Sequence, residues 1–220
     1  MRNKHTVALL FAALLLAVAC FAAKQFQMPP IQQARSYPAH DEHPQEKVTV
    51  AADPYDLAPK TDIFTVPYLR HEVLPVFLVI SNDSDQPISL MSMKVQLVTA
   101  RRSKLEPLDS DDMMRRVGGP SQVGRSSPPR PSPLPIPLPG SGGRQQTRRG
   151  QAYEEIEAAM FQARAVEAHG KQAGFVFFDV RDIAQPLHGG RLFVSGVKTG
   201  EGQELWFFEI PMEKYLTGGK

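Results

Sequence analysis

The stretch that most limits what this chain can become is Pro128-Pro129-Arg130-Pro131-Ser132-Pro133-Leu134-Pro135-Ile136-Pro137-Leu138-Pro139. Proline at nearly every second position deletes backbone donors and holds φ extended, so neither a helix nor an interior strand forms there. Gly118-Gly119 and Gly140-Ser141-Gly142-Gly143 flank it, and residues 117–150 contain no acidic side chain. The segment reads as a disordered Pro/Gly/Arg-rich insert whose polyproline arm is roughly 37 Å long at about 3.1 Å per residue. A core can then form only if residues 48–116 and 151–217 meet across the insert. Long loops add little closure entropy, so such a meeting is inexpensive.

Both flanks carry strand patterns. Val48-Thr49-Val50 and Ile63-Phe64-Thr65-Val66 are short β-branched or aromatic runs, and residues 73–81 form a longer one. Pro75 near its start suits an edge strand or a strand's first residues, because proline cannot donate to a ladder. The turn signal Asn82-Asp83-Ser84-Asp85-Gln86-Pro87 follows. Along residues 88–99 the apolar phase shifts from Ile88 and Leu90 to Met91, Met93, Val95 and Leu97, which predicts a bulge or bend. Residues 109–116, with acids first and Arg115 and Arg116 last, predict a short helical turn. In the second flank, Ile156, Ala159, Met160 and Ala163 mark the apolar face of an amphipathic helix from Tyr153, stopped at His169-Gly170-Lys171. Strands are predicted over residues 175–180, 192–197 and 205–210. Leu205-Trp206-Phe207-Phe208, apolar in both phases, asks for an interior strand covered on each side. Seven short strands with regular turns predict a mostly β fold, an antiparallel immunoglobulin-like β-sandwich with one helix. About 135 residues outside leader, spacer and insert are enough to bury a core.

The N-terminus assigns a compartment. Arg2 and Lys4 precede an apolar run over residues 7–19 that closes on Ala17-Val18-Ala19-Cys20, so residues 1–23 read as a signal peptide or N-terminal membrane anchor. Three routes are open: lipid attachment at Cys20 in a lipobox-like setting, cleavage after Ala17-x-Ala19, or retention as a membrane span. Cys20 is the only cysteine, so no internal disulfide forms and stability must come from a core. Residues 24–47, rich in Gln, Pro and mixed charge, read as a flexible solvated spacer with an r.m.s. reach of roughly 25–30 Å. The expected location is the cell envelope, on the periplasmic or extracellular side of a membrane.

Charge excludes a nucleic-acid footprint. The 25 Lys+Arg and 23 Asp+Glu become 23 against 23 once Arg2 and Lys4 leave with the leader. Catalytic motifs are absent: there is no G-x-S-x-G, no glycine-rich phosphate loop and no Cys-His pairing, so neither an enzyme nor a cofactor is expected. His40-Asp41-Glu42-His43 spaces two imidazoles three residues apart, but nothing in a polar spacer beside Pro38 and Pro44 fixes them, and no metal site is assigned. Met91 and Met93 read as core filler rather than soft-metal ligands. Glu209, beside Trp206, Phe207, Phe208 and Ile210, reads as an ion-paired or strand-end carboxylate. Arg125, Arg130, Arg144, Arg148 and Arg149 make the insert a cationic arm suited to anionic lipid, an envelope protein or an anionic cell-wall polymer. Its prolines alternatively suit an aromatic groove.

Ala51-Ala52-Asp53-Pro54-Tyr55-Asp56, Tyr68-Leu69-Arg70-His71, Leu74-Pro75 and Ser81-Asn82-Asp83-Ser84-Asp85-Gln86-Pro87-Ile88 occur in the first flank. Gly174-Phe175-Val176-Phe177-Phe178-Asp179 and Glu204-Leu205-Trp206-Phe207-Phe208-Glu209-Ile210-Pro211 occur in the second. In these motifs the chain resembles uncharacterised secreted, lipoprotein-like bacterial proteins with a single immunoglobulin-like β-sandwich domain. The resemblance implies a fold and an exported setting, and no activity. The expected function is that of a non-enzymatic, membrane-tethered binding or accessory module, the alternative being a soluble periplasmic small-ligand or metal-binding domain.

Overall fold

The computed structural model describes residues 25–117 and 142–217. In chain order the first stretch forms β1 (His40–His43), β2 (Val48–Pro54), β3 (Val73–Asn82), β4 (Ile88–Ser89), β5 (Lys94–Val98), β6 (Lys104–Leu105) and helix α1 (Ser110–Val117). The second forms α2 (Gly142–Ala159), β7 (Ala165–Val166), β8 (Lys171–Asp179), β9 (Arg191–Ser195), β10 (Lys198–Thr199), β11 (Phe208–Pro211) and α3 (Glu213–Leu216). The protein is mostly β. Its strands pair antiparallel in three sheets, ordered β1-β2-β3-β8, β11-β9-β5-β6 and β10-β4-β7.

The two halves of the chain meet as expected. Strand β3 pairs with β8 from Val73↔Asp179 to Ser81↔Lys171, and β5 pairs with β9 from Lys94↔Ser195 to Val98↔Arg191. All ten residues of β3 are buried because its two apolar phases serve two cores. Leu74, Val76, Leu78 and Ile80 pack toward Leu97, Leu192, Val194, Phe208 and Ile210 of the second sheet. Val73, Phe77 and Val79 pack on the other side, with Phe175 and Phe177 of β8, against Met113 of α1, Ile156 and Ala159 of α2, and Phe64 and Tyr68. The first sheet is therefore the middle layer of three.

Strand β3 is central, and Pro75 is its third residue, so of the two placements the proline allowed the second holds. Pro75 is tolerated because the β2 ladder ends at Pro54↔Val76, where the missing donor faces no partner strand, and the Pro75 carbonyl accepts from Tyr55 N at 2.9 Å. Several expectations change. Ile63-Phe64-Thr65-Val66 is not a strand. A 3-10 turn covers Lys60–Ile63, and the chain then drops Phe64 and Val66 into the second core. The phase shift in residues 88–99 is a change of sheet: Ile88–Ser89 pairs with β7 and β10, and after a turn Lys94–Val98 pairs with β9 and β6.

The helix read from Tyr153 begins at Gly142, inside the segment expected to be disordered insert, and ends at Ala159 rather than at His169-Gly170. It stops because the chain must cross β8. Phe161 N donates to Phe175 O at 2.9 Å, and a Cβ on Gly174 would lie 2.5 Å from Phe161 Cα, so only glycine admits the crossing. The expected spacer is also docked from residue 25 onward. Phe26 stacks on Phe64 at 5.6 Å, Ala34 and Ala39 are buried, and His40–His43 adds an edge strand to β2. A few small or aromatic anchors hold this segment, too sparse to stand out from its polar composition.

Candidate functional site

Alternation fixes the two faces of the sheet β11-β9-β5-β6. Leu192, Val194, Leu97, Phe208 and Ile210 point into the core, so Arg191, Phe193, Ser195, Lys94, Gln96, Val98 and Glu209 point outward. Register sets the outward rows: Glu209↔Phe193↔Gln96 in the middle, Arg191↔Val98↔Lys104 on one side, and Ser195↔Lys94 on the other. The solvated face of an antiparallel sheet normally carries polar side chains. Here Phe193 lies 5.9 Å from the Phe207 ring at 49°, and Phe207 lies 5.6 Å from the Trp206 ring at 31°.

Trp206 is 71% exposed and Phe207 is exposed too. The expectation that Leu205-Trp206-Phe207-Phe208 forms an interior strand is thus overturned. Leu205 and Phe208 are buried, β11 begins only at Phe208, and it is the edge strand of its sheet. Four apolar residues in a row carry no phase, so sequence could not say which of them face out.

The aromatic trio sits among groups that bond or carry charge. Glu209 accepts from Arg191, the pairing its sequence surroundings suggested. Its backbone N donates to Asp41 Oδ2 at 2.8 Å, and His43 stacks on Phe208 at 4.0 Å, so β1 pins the edge strand from behind. Lys94 and Lys104 are exposed and make no ion pair among the described residues.

The other sequence candidates fall elsewhere. Cys20, Arg125 and Arg130 lie outside the described residues. Positions 144 and 148 belong to the first turns of α2, and Arg149 follows them, exposed. None of the arginines of the insert is brought to the aromatic face by anything described. His40 Nδ1 bonds the Tyr37 carbonyl at 2.6 Å while His43 faces Phe208, so the two imidazoles do not converge. Among the described residues, no group of three or more His, Cys, Asp or Glu could hold a metal ion, and no helix is long and apolar enough to cross a membrane. Met91 is 79% exposed, against its reading as core filler, while Met93 packs against the first core.

A second polar cluster closes the root of the insert. Arg116, the penultimate residue of α1, forms a two-point pair with Asp179 at the end of β8, with Nη1 to Oδ1 at 2.8 Å, and Arg181 Nη2 donates to the same carboxylate at 3.0 Å. Burial alone would push the Asp179 carboxyl up, but the hydrogen bonds from Arg116 and Arg181 outweigh it and hold it at about 2. A carboxylate held below its unfolded value of about 3.9 stabilises the fold above that pH, and the contribution is lost as pH falls toward the folded value. Asp179→Asn is therefore expected to flatten the loss of stability between about pH 4 and pH 2, read as urea midpoints across that window. Identical pH profiles for variant and wild type would dismiss the clamp.

No family model matches the chain. No curated protein matches it either. Among solved structures it is similar to the crystal structure of ycdA of Bacillus subtilis, a protein provisionally assigned as a lipoprotein. The TM-score is 0.36 at 14% identity, over 83% of this chain and 41% of that one. The chain thus spans about two fifths of that protein's length, and a likeness at this score supports neither a shared fold nor a shared function.

Proposed function

We propose that the protein is an exported, membrane-tethered, non-enzymatic binding or accessory module of the bacterial cell envelope, and that it docks its partner on the outward face of β11-β9-β5-β6. The observation that carries this reading is the exposed pair Trp206 and Phe207, continued by the half-buried Phe193, on a sheet face that water should otherwise own. Partner burial of such side chains gains about 1.5–3 kcal/mol each, which gives an exposed cluster a use. The two most constrained carboxylates are already engaged: Asp179 by Arg116 and Arg181, and Glu155 by Thr65 and Val66.

The leader supports export, and the position of the docked N-terminus supports a close tether. Phe26 enters between Phe64 and Phe175 on the helical side of the middle sheet. From Cys20 to Gln25 the chain spans at most about 17 Å. The helical layer would then face the membrane and the aromatic face would look away from it. Strand order supports the immunoglobulin-like reading. The series β2-β3-β8 against β11-β9-β5-β6 follows the order A-B-E against G-F-C-C′, and the stretch where D would fall supplies α1, α2 and the two-residue β7.

The test is retention of partners from an envelope extract by the immobilised full chain. The double variant Trp206→Ala/Phe207→Ala is expected to retain at least about tenfold less, as loss of a central aromatic anchor would give. Equal retention would reject the face. Intact mass of the native protein reads the tether: diacylglyceryl on Cys20 or a retained Met1 supports it, and a free terminus after Ala19 removes it.

A further inference from the structure

We infer that the aromatic face of β11-β9-β5-β6 binds an anionic glycan chain, an inference that rests on this face being the docking surface. Three features of the face point to this ligand chemistry. First, Trp206, Phe207 and Phe193 form a run of rings at 5.6 and 5.9 Å spacing, each turned by 31° or 49° from the next. Neighbouring rings are about one sugar residue apart, and the C–H-rich face of a pyranose is apolar enough to stack on an aromatic ring while its rim stays hydrated. A stepped, open run of rings fits a polymer laid along it rather than a single small molecule enclosed by it.

Second, hydrogen-bonding groups share the rows of the rings. Gln96 and Glu209 sit directly across from Phe193, with Arg191 and Ser195 in the adjacent rows. An apolar partner, whether a bilayer or the hydrophobic centre of a protein, would have to strip water from the amide and the Arg191–Glu209 pair without replacing its hydrogen bonds. Sugar hydroxyls, each donor and acceptor at once, satisfy those groups while the rings are covered.

Third, the face is locally cationic. Lys94, Lys104 and Arg191 meet two carboxylates, Glu209, which is already paired with Arg191, and the exposed Glu106, which lines the same groove as Lys94, Gln96 and Phe193, so one net positive charge remains. Lys94 and Lys104 are left to meet anionic groups carried by the polymer. The bilayer is disfavoured by position as well, since the N-terminal segment docks on the opposite layer, beyond both cores.

The chain has one tryptophan, so emission of the full chain in non-ionic detergent reads this face directly. Polygalacturonate, a uronic-acid polymer, is expected to shift Trp206 emission to the blue and shield it from acrylamide at low salt. Dextran, which is neutral, should need roughly tenfold more material for the same effect. Phe207→Ala should weaken the half-saturation roughly tenfold, and Lys94→Gln and Lys104→Gln roughly threefold to fivefold each, the lysine effects fading as salt is raised. All three positions are exposed or partly so, and folding is not at stake. Unchanged emission with polygalacturonate, or an equal response to dextran, overturns the inference. If emission is unchanged while Trp206→Ala/Phe207→Ala still abolishes retention of an envelope protein, the face binds protein and only the glycan assignment fails. If neither responds, both readings fail together.

Discussion

Replacing Phe175 with alanine is expected to destabilise the fold by about 3–5 kcal/mol, as truncation of a fully buried phenylalanine does when its surroundings cannot collapse. The ring is inaccessible to solvent and is held by aromatic neighbours on several sides. Tyr55 meets it edge-on at 4.9 Å and 88°, Phe64 at 5.0 Å and 69°, and Phe77 at 5.0 Å, with Phe26 beyond at 6.4 Å. These residues come from β2's exit, the loop after it, β3 and the N-terminal segment, each already fixed by other packing, so the vacated volume stays open. The backbone of Phe175 also accepts from Phe161 N, which brings the chain after α2 across β8. Urea unfolding of the variant checks the magnitude, and Phe175→Leu should recover roughly half. A loss below about 1 kcal/mol would mean that the second core is far looser than its geometry.

Glu155→Ala is the second large effect, expected at about 3 kcal/mol. Glu155 is a carboxylate at 5% exposure on α2, and it caps an irregular loop that has no ladder of its own. Thr65 N donates to Oε2 at 2.8 Å, Val66 N donates to Oε1 at 3.2 Å, and the Thr65 hydroxyl donates as well. Removing the acceptor leaves the buried Val66 N–H without a partner and turns the Thr65 donors, on an exposed residue, toward water, so most of the cost falls on Val66 and on the loop it holds. Burial pushes the Tyr68 phenol up, and the Glu155 charge beside it pushes further, so the phenol stays protonated next to the carboxylate. Hydrogen exchange at the Thr65 and Val66 amides should accelerate in the alanine variant and recover in part in Glu155→Gln, whose carbonyl oxygen still accepts. Unchanged protection in both would show that the loop is held by Phe64 and Val66 alone.

Much of the architecture was legible because the hydrophobic period was. Residues 73–81 read as a long apolar strand, Ile156 and Ala159 read as a helix face, and the phase shift after Leu90 marked a real discontinuity that proved to be a passage between sheets. Pro75 left an edge strand and a strand's first residues both open, and the second holds because a proline costs nothing where the neighbouring ladder has already ended. The errors have physical causes. Ile63-Phe64-Thr65-Val66 has strand composition and no strand partner; its backbone donors go to the Glu155 side chain, a contact across ninety positions in sequence that no local pattern announces. The docked segment from residue 25 is anchored by too few apolar side chains to rise above its glutamines and prolines. The aromatic face was hidden in the uniform run Leu205-Trp206-Phe207-Phe208, where tertiary position alone decides which rings see water.

The interleaving of the two halves also sets an order of events for a chain delivered N-terminus first, whether by ribosome or by secretion pore. When β2 and β3 have emerged they can pair, but the other margin of β3 must wait for Lys171–Asp179, which arrives only after the proline tract and α2. Throughout that interval a strand apolar from Val73 to Ile80 offers an unoccupied hydrogen-bonding border, the kind of template on which neighbouring nascent chains stack. The connectivity therefore predicts that a product truncated before Lys171 partitions into the insoluble fraction on expression while the full chain stays in solution.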